Sequence, residues 1–307
     1  MVLDLTLLIM LIGITLIFAA FRDVFRTLFP DTGELTLSRL VAKALWQGLH
    51  RLGVRRPGLL YAAGPVAFLA TIVGWFMLLG LGWALVYWPH MPSSFAFGEG
   101  LDAAARSGFV DALYFSLGTQ ATLGYGDIVP TNPWLMMGAT FQAFSGLGVL
   151  LAALSWYLAI GQALSQCRSL AHRITLAREA EPSAELALTS MEPELTKQIL
   201  DDFATRLVAV RGELLRFPIT YYYGSRDERS SLPAVLPYLV WLTEEGSRES
   251  CPPETRFYAA VLRSAIDHFS ATVATRFLDS APSHRVLQEY SRDHLCERLL
   301  GDDARFS

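Results

Sequence analysis

Six consecutive residues, Thr122 to Asp127, carry the most specific chemical signal in the chain and read T-L-G-Y-G-D. They lie between two long apolar runs that contain no charged residue. A cation that leaves water needs oxygens in place of its hydration shell, and rings of backbone carbonyl groups supply them. Carbonyl groups all on one side require a backbone that alternates in conformation, with some positive φ angles, which Gly124 and Gly126 adopt at low steric cost. The stretch therefore predicts a backbone site for a dehydrated cation.

The side chains of this stretch fit the same chemistry. Thr122 can add a hydroxyl oxygen below the carbonyl groups, Tyr125 can wedge outward and fix the width, and Asp127 can attract cations at the mouth. One strand cannot enclose an ion, so the sequence predicts a homotetramer with the site on its four-fold axis. The alternative is a glycine-rich turn between two helices, but the full motif beside spanning segments favours a selectivity filter.

Composition separates the chain into two halves. The 307 residues are 52% hydrophobic and 18% charged, which is too apolar for an average soluble protein. Residues 164–307 hold 17 of the 25 basic and 21 of the 29 acidic residues, and this predicts a soluble, slightly acidic second half with no reason to bind nucleic acid. The sequence shows no catalytic constellation, so no enzyme is predicted. All three cysteines lie in the second half without a CxxC pair, which fits a reducing cytosolic side.

Residues 1–21 are predicted to form an N-terminal transmembrane helix, because residues 3–21 carry a single charge, on Asp4. A cleaved signal peptide is the alternative. Arg22 and Arg26 follow the apolar run instead of preceding it, which favours an uncleaved helix with its N-terminus outside.

Residues 22–62 are predicted to be a cytoplasmic basic segment, since they hold seven basic and three acidic residues. Apolar residues recur at helical spacing from Leu37 to Leu52, with basic side chains largely on the other side. This pattern predicts an amphipathic helix on the inner membrane surface. It is either a cuff that responds to motion of neighbouring helices or a simple interfacial anchor.

Residues 63–166 are predicted to form a pore module around the six-residue motif. A charge-free run over 65–89 predicts the second span, and residues 111–120, capped by Asp111, predict a short re-entrant helix. A long helix is expected from Trp134 to about Gln166. Gly146 in that helix is either a hinge or a site of close packing. One apolar face could line a cavity that gates by dewetting: Leu147, Leu150 and Leu154.

The rest of the chain is predicted to be a linker over 167–193 and a helical cytoplasmic domain over 194–307. It has no alternating βα pattern and no GxGxxG motif, so a Rossmann-type nucleotide sensor is not expected. The tyrosines at 221–223 are predicted to be core or interface residues instead of a ligand cage. The ligand or regulator of this domain cannot be read from the sequence.

Residues 62–165 resemble the two-helix pore module of bacterial potassium channels, on the strength of T-L-G-Y-G-D between a short helix and an inner helix. The resemblance implies that K⁺ is the permeant ion, with no cofactor, and that Gly146 matches the family's hinge glycine. It implies four K⁺ sites built from the Thr122 hydroxyl and from the backbone carbonyl groups of Thr122, Leu123, Gly124 and Tyr125.

This chain also departs from the family pattern around the filter. Ala121 stands where the family often has Thr or Ser, and Gly118 stands where some members have a glutamate that bonds to the filter aspartate. Tyr114 and Phe115 stand where some members have two tryptophans that support the filter. Tyr114 could still donate a hydrogen bond to Asp127, whereas Phe115 has no group that could bond to Tyr125.

Taken together, the sequence predicts an all-α membrane protein. Three transmembrane helices, a re-entrant pore helix with its filter loop and a C-terminal all-α cytoplasmic domain are expected. The predicted function is a homotetrameric potassium channel in the cell membrane, with its C-terminus in the cytoplasm. The rival hypotheses are a carrier subunit that uses a pore loop and a receptor with a vestigial pore.

Overall fold

The computed structural model describes residues 2–29, 37–53, 62–100, 102, 106–224, 227–278 and 285–294. These residues are mostly helical. Their α-helices are α1 Val2–Leu28, α2 Leu37–Gly53, α3 Ala63–Tyr87, α4 Phe109–Gln120, α5 Pro133–Ala184, α6 Pro193–Arg216, α7 Leu232–Gly246, α8 Pro253–Arg276 and α9 Val286–Asp293. Two short strands pair with each other, β1 Phe95–Phe97 and β2 Ile128–Pro130.

Three helical stretches of the described residues are long and apolar enough to cross a membrane: Leu5–Leu28, Ala63–His90 and Pro133–Ala184. A membrane interior offers no water to backbone N–H and C=O groups, so a spanning segment must satisfy them within its own helix. The prediction of an all-α membrane protein with three such helices is confirmed.

The described residues divide into two compact units. The first unit comprises those within 1–41 and 67–158, and the second comprises those within 42–66 and 159–307. In the first unit, α1 crosses α3 at two glycines: a Cβ atom on Gly13 would lie 2.6 Å from the carbonyl oxygen of Gly82. The absence of side chains at both positions lets the two backbones approach closely.

The start of α4 differs from the prediction. Asp111 was expected to cap the helix at its first position, but α4 begins two residues earlier, at Phe109, after Gly108. The Asp111 carboxylate accepts a hydrogen bond from the Gly108 N–H at 3.3 Å and pairs with Arg106 at 2.9 Å. It thus stabilises the first turn from the third helical position, where an acidic side chain complements the helix dipole.

The end of α5 also differs from the prediction. The helix does not stop near Gln166 but continues to Ala184, into the segment 167–193 that was predicted to be a linker. Leu170, Ala171 and Ile174 are buried along this extension, so the charged stretch has an apolar face as well. The helix stops where Glu185 takes a φ of +53° and the Leu186 N–H donates to the carbonyl oxygen of Glu181.

The second unit is built around α6 and α8, whose buried residues include Leu207, Leu262 and Phe269. The predicted core role of the tyrosine cluster agrees with the burial of Tyr221 and Tyr222. Within the predicted helical domain 194–307, the last described helix is α9, Val286–Asp293, and residues 295–307 lie outside the described part.

Trp46 of α2 packs into this second unit. Its ring lies against Tyr221 and Tyr222, and its indole N–H donates to the carboxylate of Asp293 at 3.3 Å. The Tyr221 hydroxyl donates to the same carboxylate at 2.5 Å. Burial, followed by the charge of Asp293, raises the pKa of the Tyr221 phenol, so it remains a hydrogen-bond donor at neutral pH.

Candidate functional site

The predicted filter residues follow α4 after one intervening residue, Ala121, and lead into β2. Residues 122–126 belong to neither a helix nor a strand, and their side chains are exposed on the single chain. Their geometry therefore depends on the backbone conformation of the loop and on the contacts that hold its two ends.

Positive φ angles occur at every second residue of the loop. They are +56° at Thr122, +59° at Gly124 and +74° at Gly126. This alternation agrees with the backbone expected for carbonyl groups on one side of a strand, and the two glycines reach it as predicted. Thr122 was not predicted from the sequence to have a positive φ. A β-branched residue rarely adopts this conformation, so only the surrounding structure could reveal the strain.

The inner end of the loop is bonded to the last turn of α4. The N–H groups of Thr122 and Leu123 donate to the carbonyl oxygens of Thr119 and Gly118 at 3.0 and 2.9 Å. These bonds satisfy carbonyl groups that a helix end otherwise leaves without partners. They also fix the direction in which the loop leaves the helix.

The outer end of the loop is bonded to a short antiparallel ribbon. Strands β1 and β2 pair with Phe97 opposite Ile128, and the Gly98 N–H donates to the carbonyl oxygen of Asp127 at 2.8 Å. No strand was predicted from the sequence in this part of the chain, so the ribbon was missed. Three-residue strands carry too little alternation to be recognised in a sequence.

Tyr114 contacts the outer end of the predicted filter. Its hydroxyl donates to the Asp127 carboxylate at 2.8 Å, which is the bond that the sequence analysis considered. The other carboxylate oxygen accepts from the Ile128 N–H at 3.1 Å. The rings of Tyr114 and Tyr125 are nearly parallel, with centroids 6.3 Å apart. One side chain of α4 thus touches both Tyr125 and Asp127.

Phe115 faces away from the loop. Its ring contacts Tyr87 and Phe95 edge-on, at centroid distances of 5.0 and 5.3 Å, within a buried cluster that includes Ile128. Phe115 therefore acts on the predicted filter through the packing of α4, α3 and the ribbon, and it makes no hydrogen bond to Tyr125.

A buried polar network behind α4 was missed by the sequence analysis. The Tyr87 hydroxyl donates to the Gln142 side-chain oxygen at 2.9 Å, and the Gln142 amide donates to the Ser116 carbonyl oxygen at 2.9 Å. The Ser116 hydroxyl in turn donates to the carbonyl oxygen of Gly80 at 2.7 Å. The available signal was a glutamine within a charge-free apolar run, since a buried amide requires hydrogen-bond partners.

Gly146 of α5 lies directly against the end of α4. A Cβ atom at this position would be 2.3 Å from the carbonyl oxygen of Gln120. Between the two predicted roles of Gly146, hinge or close packing, this contact favours packing. The residues predicted to line a cavity lie on an exposed face of the same helix in the single chain: Leu147, Leu150 and Leu154.

Comparison with known proteins was consistent with this geometry. Residues 73–162 match a family model described as "Ion channel". The uncharacterized membrane protein YdjJ of Bacillus subtilis (strain 168) is 24% identical over 274 residues, which cover 88% of this chain and 79% of that protein. The inward rectifier potassium channel Kirbac3.1 of Paramagnetospirillum magnetotacticum is 28% identical over 175 residues, or 54% of this chain. Two-pore potassium channel 5 of Arabidopsis thaliana is 49% identical over 41 residues, or 13% of this chain.

The matched regions span 55% of Kirbac3.1 and 10% of the plant channel. No solved structure gives a significant match to the chain. The matches confirm the predicted resemblance to potassium channels, and they indicate an ion-transport protein rather than an enzyme. Together with the three apolar helices, they support a multi-pass membrane protein.

The Gly146 contact yields a prediction about stability. Gly146→Ala should lower the free energy of unfolding by about 1–3 kcal/mol, because the added methyl group has no room beside the Gln120 carbonyl oxygen. The measurement is thermal unfolding of the purified protein in detergent. Gly148→Ala is the matched control, since a Cβ atom there meets no heavy atom within 4 Å in the described chain. Equal melting temperatures for the two variants would contradict the packing role.

Proposed function

We propose that the chain forms a homotetrameric potassium-selective channel. In this proposal, K⁺ is held by the Thr122 hydroxyl and by the carbonyl oxygens of residues 122–125 from four copies. The observation that carries the proposal is the alternation of φ at Thr122, Gly124 and Gly126, in a loop bonded at both ends. Carbonyl groups directed to one side replace the hydration shell of the ion without any charged ligand.

The requirement for four copies follows from the single loop in the chain. Four strands around an axis surround an ion, whereas one strand leaves most of its hydration shell in place. In the single chain, Leu123 and Tyr125 are exposed, and α5 carries exposed apolar side chains on one face, including Phe144, Leu147 and Leu151. In the proposed tetramer, these surfaces are available to pack against neighbouring copies, the pore or lipid.

Conduction in this proposal uses charges at the two ends of the loop. Asp127 supplies a carboxylate at the outer mouth, where it raises the local concentration of cations. The C-terminus of α4 directly precedes the loop, and the negative end of its dipole favours a cation below the filter. Leu147, Leu150 and Leu154 form an apolar surface on α5 that blocks ions when it dewets.

The proposed topology follows the distribution of basic residues. The N-terminus lies outside the cell membrane, and the C-terminal domain lies in the cytoplasm, on the side of the basic segment 22–62. The helical domain modulates gating in response to a regulator whose chemistry the chain does not specify. K⁺ is the transported ion, and no cofactor takes part.

The first prediction concerns ion selectivity. Purified protein in liposomes should dissipate a K⁺ gradient at least about tenfold faster than a Na⁺ gradient, because the carbonyl oxygens substitute for the hydration shell of K⁺. Ion-specific fluorescent dyes or radioactive tracers measure both fluxes. Gly124→Ala should reduce the selective flux, since alanine at this positive φ costs about 1–2 kcal/mol. Equal Na⁺ and K⁺ fluxes for the unmodified protein would refute the proposal.

The second prediction concerns assembly. Native mass spectrometry of the detergent-solubilised protein should give four copies of the 34.0 kDa chain. Four copies are expected because each chain carries a single filter loop. A monomer would instead favour a carrier, and it would rule out the shared carbonyl sites.

The third prediction concerns the hydrogen bond between Tyr114 and Asp127. Tyr114→Phe keeps the ring beside Tyr125 and removes the hydroxyl group that donates to the Asp127 carboxylate. The filter should leave its conducting state more readily, seen as faster decay of K⁺ current in planar bilayers than for the unmodified protein. Tyr157→Phe is the control, because Tyr157 is exposed on α5 and packs its ring against Phe68, away from the loop. An unchanged current decay in Tyr114→Phe would show that the bond does not support the filter.

A further inference from the structure

A carboxylate on α1 is bonded to the middle of α3. The Trp75 indole N–H donates to Asp23 Oδ2 at 2.7 Å, and the Trp75 side chain is fully buried. Trp75 is the central residue of α3, equally far from Ala63 and from Tyr87. Asp23 belongs to the segment 22–62, which the sequence predicts to be cytoplasmic. In the structure, α1 continues past it to Leu28.

Two contacts join α1 and α3 as an antiparallel pair. Gly13 crosses α3 at Gly82, and Asp23 meets it at Trp75. The Asp23 carboxylate is thus bonded to the middle residue of a helix that is long and apolar enough to cross a membrane, and Asp23 itself lies in such a stretch, Leu5–Leu28. A carboxylate within an apolar spanning segment is costly unless it is hydrogen-bonded, and it is by default a candidate functional group. Arg22 and Arg26 stand beside it on α1.

Trp75 also contacts the long helix α5. Its ring lies 5.5 Å from that of Trp156, centroid to centroid, and Phe68 contacts the same ring from α3 at 5.1 Å. Trp156 is 3% exposed, so it is held by these neighbours. Leu154 and Leu158, on the same turn of α5, are exposed on another face. A displacement of Trp156 therefore displaces the surface proposed to close the pore.

We propose that Asp23 is a positioning residue for α5: its carboxylate fixes Trp75 against Trp156 and thereby sets the equilibrium between open and closed pores. The idea rests on the proposed channel function. It gives α1, which precedes the two-helix pore module, a role in gating. The chain of contacts runs from the Asp23 carboxylate through the Trp75 indole to the Trp156 ring, and it involves no residue of the filter.

The chemistry of the bond defines the variants that test it. Asp23→Leu removes the acceptor, and Trp75→Phe removes the donor while keeping an aromatic ring against Trp156. Asp23→Asn retains an oxygen that can accept the indole N–H and should behave nearly as the unmodified protein. Trp134→Phe is the matched tryptophan control, because Trp134 is 84% exposed. Asp201→Leu, at an exposed position of α6, is the matched aspartate control.

Single-channel recording in planar bilayers separates gating from conduction. Asp23→Leu and Trp75→Phe should each change the open probability by about fivefold or more, in the same direction, with unitary conductance and K⁺/Na⁺ selectivity unchanged. The double variant should match the single ones, since both remove the same bond. Asp23→Asn and the two controls should stay within about twofold of the unmodified protein.

The inference is overturned if Trp75→Phe assembles with an unchanged open probability, or if the two effects are additive. If Asp23→Leu fails to fold, Trp75→Phe alone still tests the inference.

Hydrogen exchange at residues 150–158 gives a readout that does not need ion flux. Exchange should be faster in both variants and unchanged in the controls. If the unmodified protein passes no K⁺ while this exchange pattern holds, the channel proposal fails and the positioning role of Asp23 stands. Unchanged exchange in both variants removes the positioning role alone.

Discussion

The loop at residues 122–126 has no regular secondary structure to maintain it, so its shape depends on the hydrogen bonds at its two ends. At the inner end, two N–H groups bond to the last turn of α4. At the outer end, Asp127 is held by Gly98, Tyr114 and Ile128. The other features of the first unit act on these two ends: the ribbon fixes Asp127, the cluster around Phe115 fixes α4, and the network around Gln142 joins α4 to α3 and α5. The strained φ of Thr122 persists because both neighbouring segments are fixed.

Much of this arrangement could be predicted from the sequence, because its strongest determinants are local. The three spanning helices follow from long runs without charge, and the need for glycine at 124 and 126 follows from backbone sterics alone. The possible bond from Tyr114 to Asp127 could be anticipated, because family resemblance placed both residues at positions that meet. The α-helical character of the second half followed from apolar periodicity and from the lack of βα alternation.

The features that the sequence did not reveal depend on contacts between distant segments. The β1–β2 ribbon has too few residues to form a pattern, and the partners of Gln142 are 26 and 55 residues away. The extension of α5 was obscured by its charged residues, although Leu170 and Ile174 give it a buried face. The continuation of α1 past Asp23 to Leu28 was not predicted, because the apolar run was taken to end where charges begin. The Asp23 carboxylate accepts a hydrogen bond from the buried indole of Trp75, a partner 52 residues away.

The approach of Gly146 to Gln120 also has a mechanical consequence. With no side chain between them, the two backbones are in direct contact. No side chain can therefore change its rotamer to accommodate a displacement of one backbone against the other. The contact involves the last residue of α4, two residues before the loop begins at Thr122. A displacement of α5 at this contact is therefore transmitted to the end of α4 and to the loop that follows it. In the proposed channel, a movement of α5 that opens the pore would also change the geometry of residues 122–126.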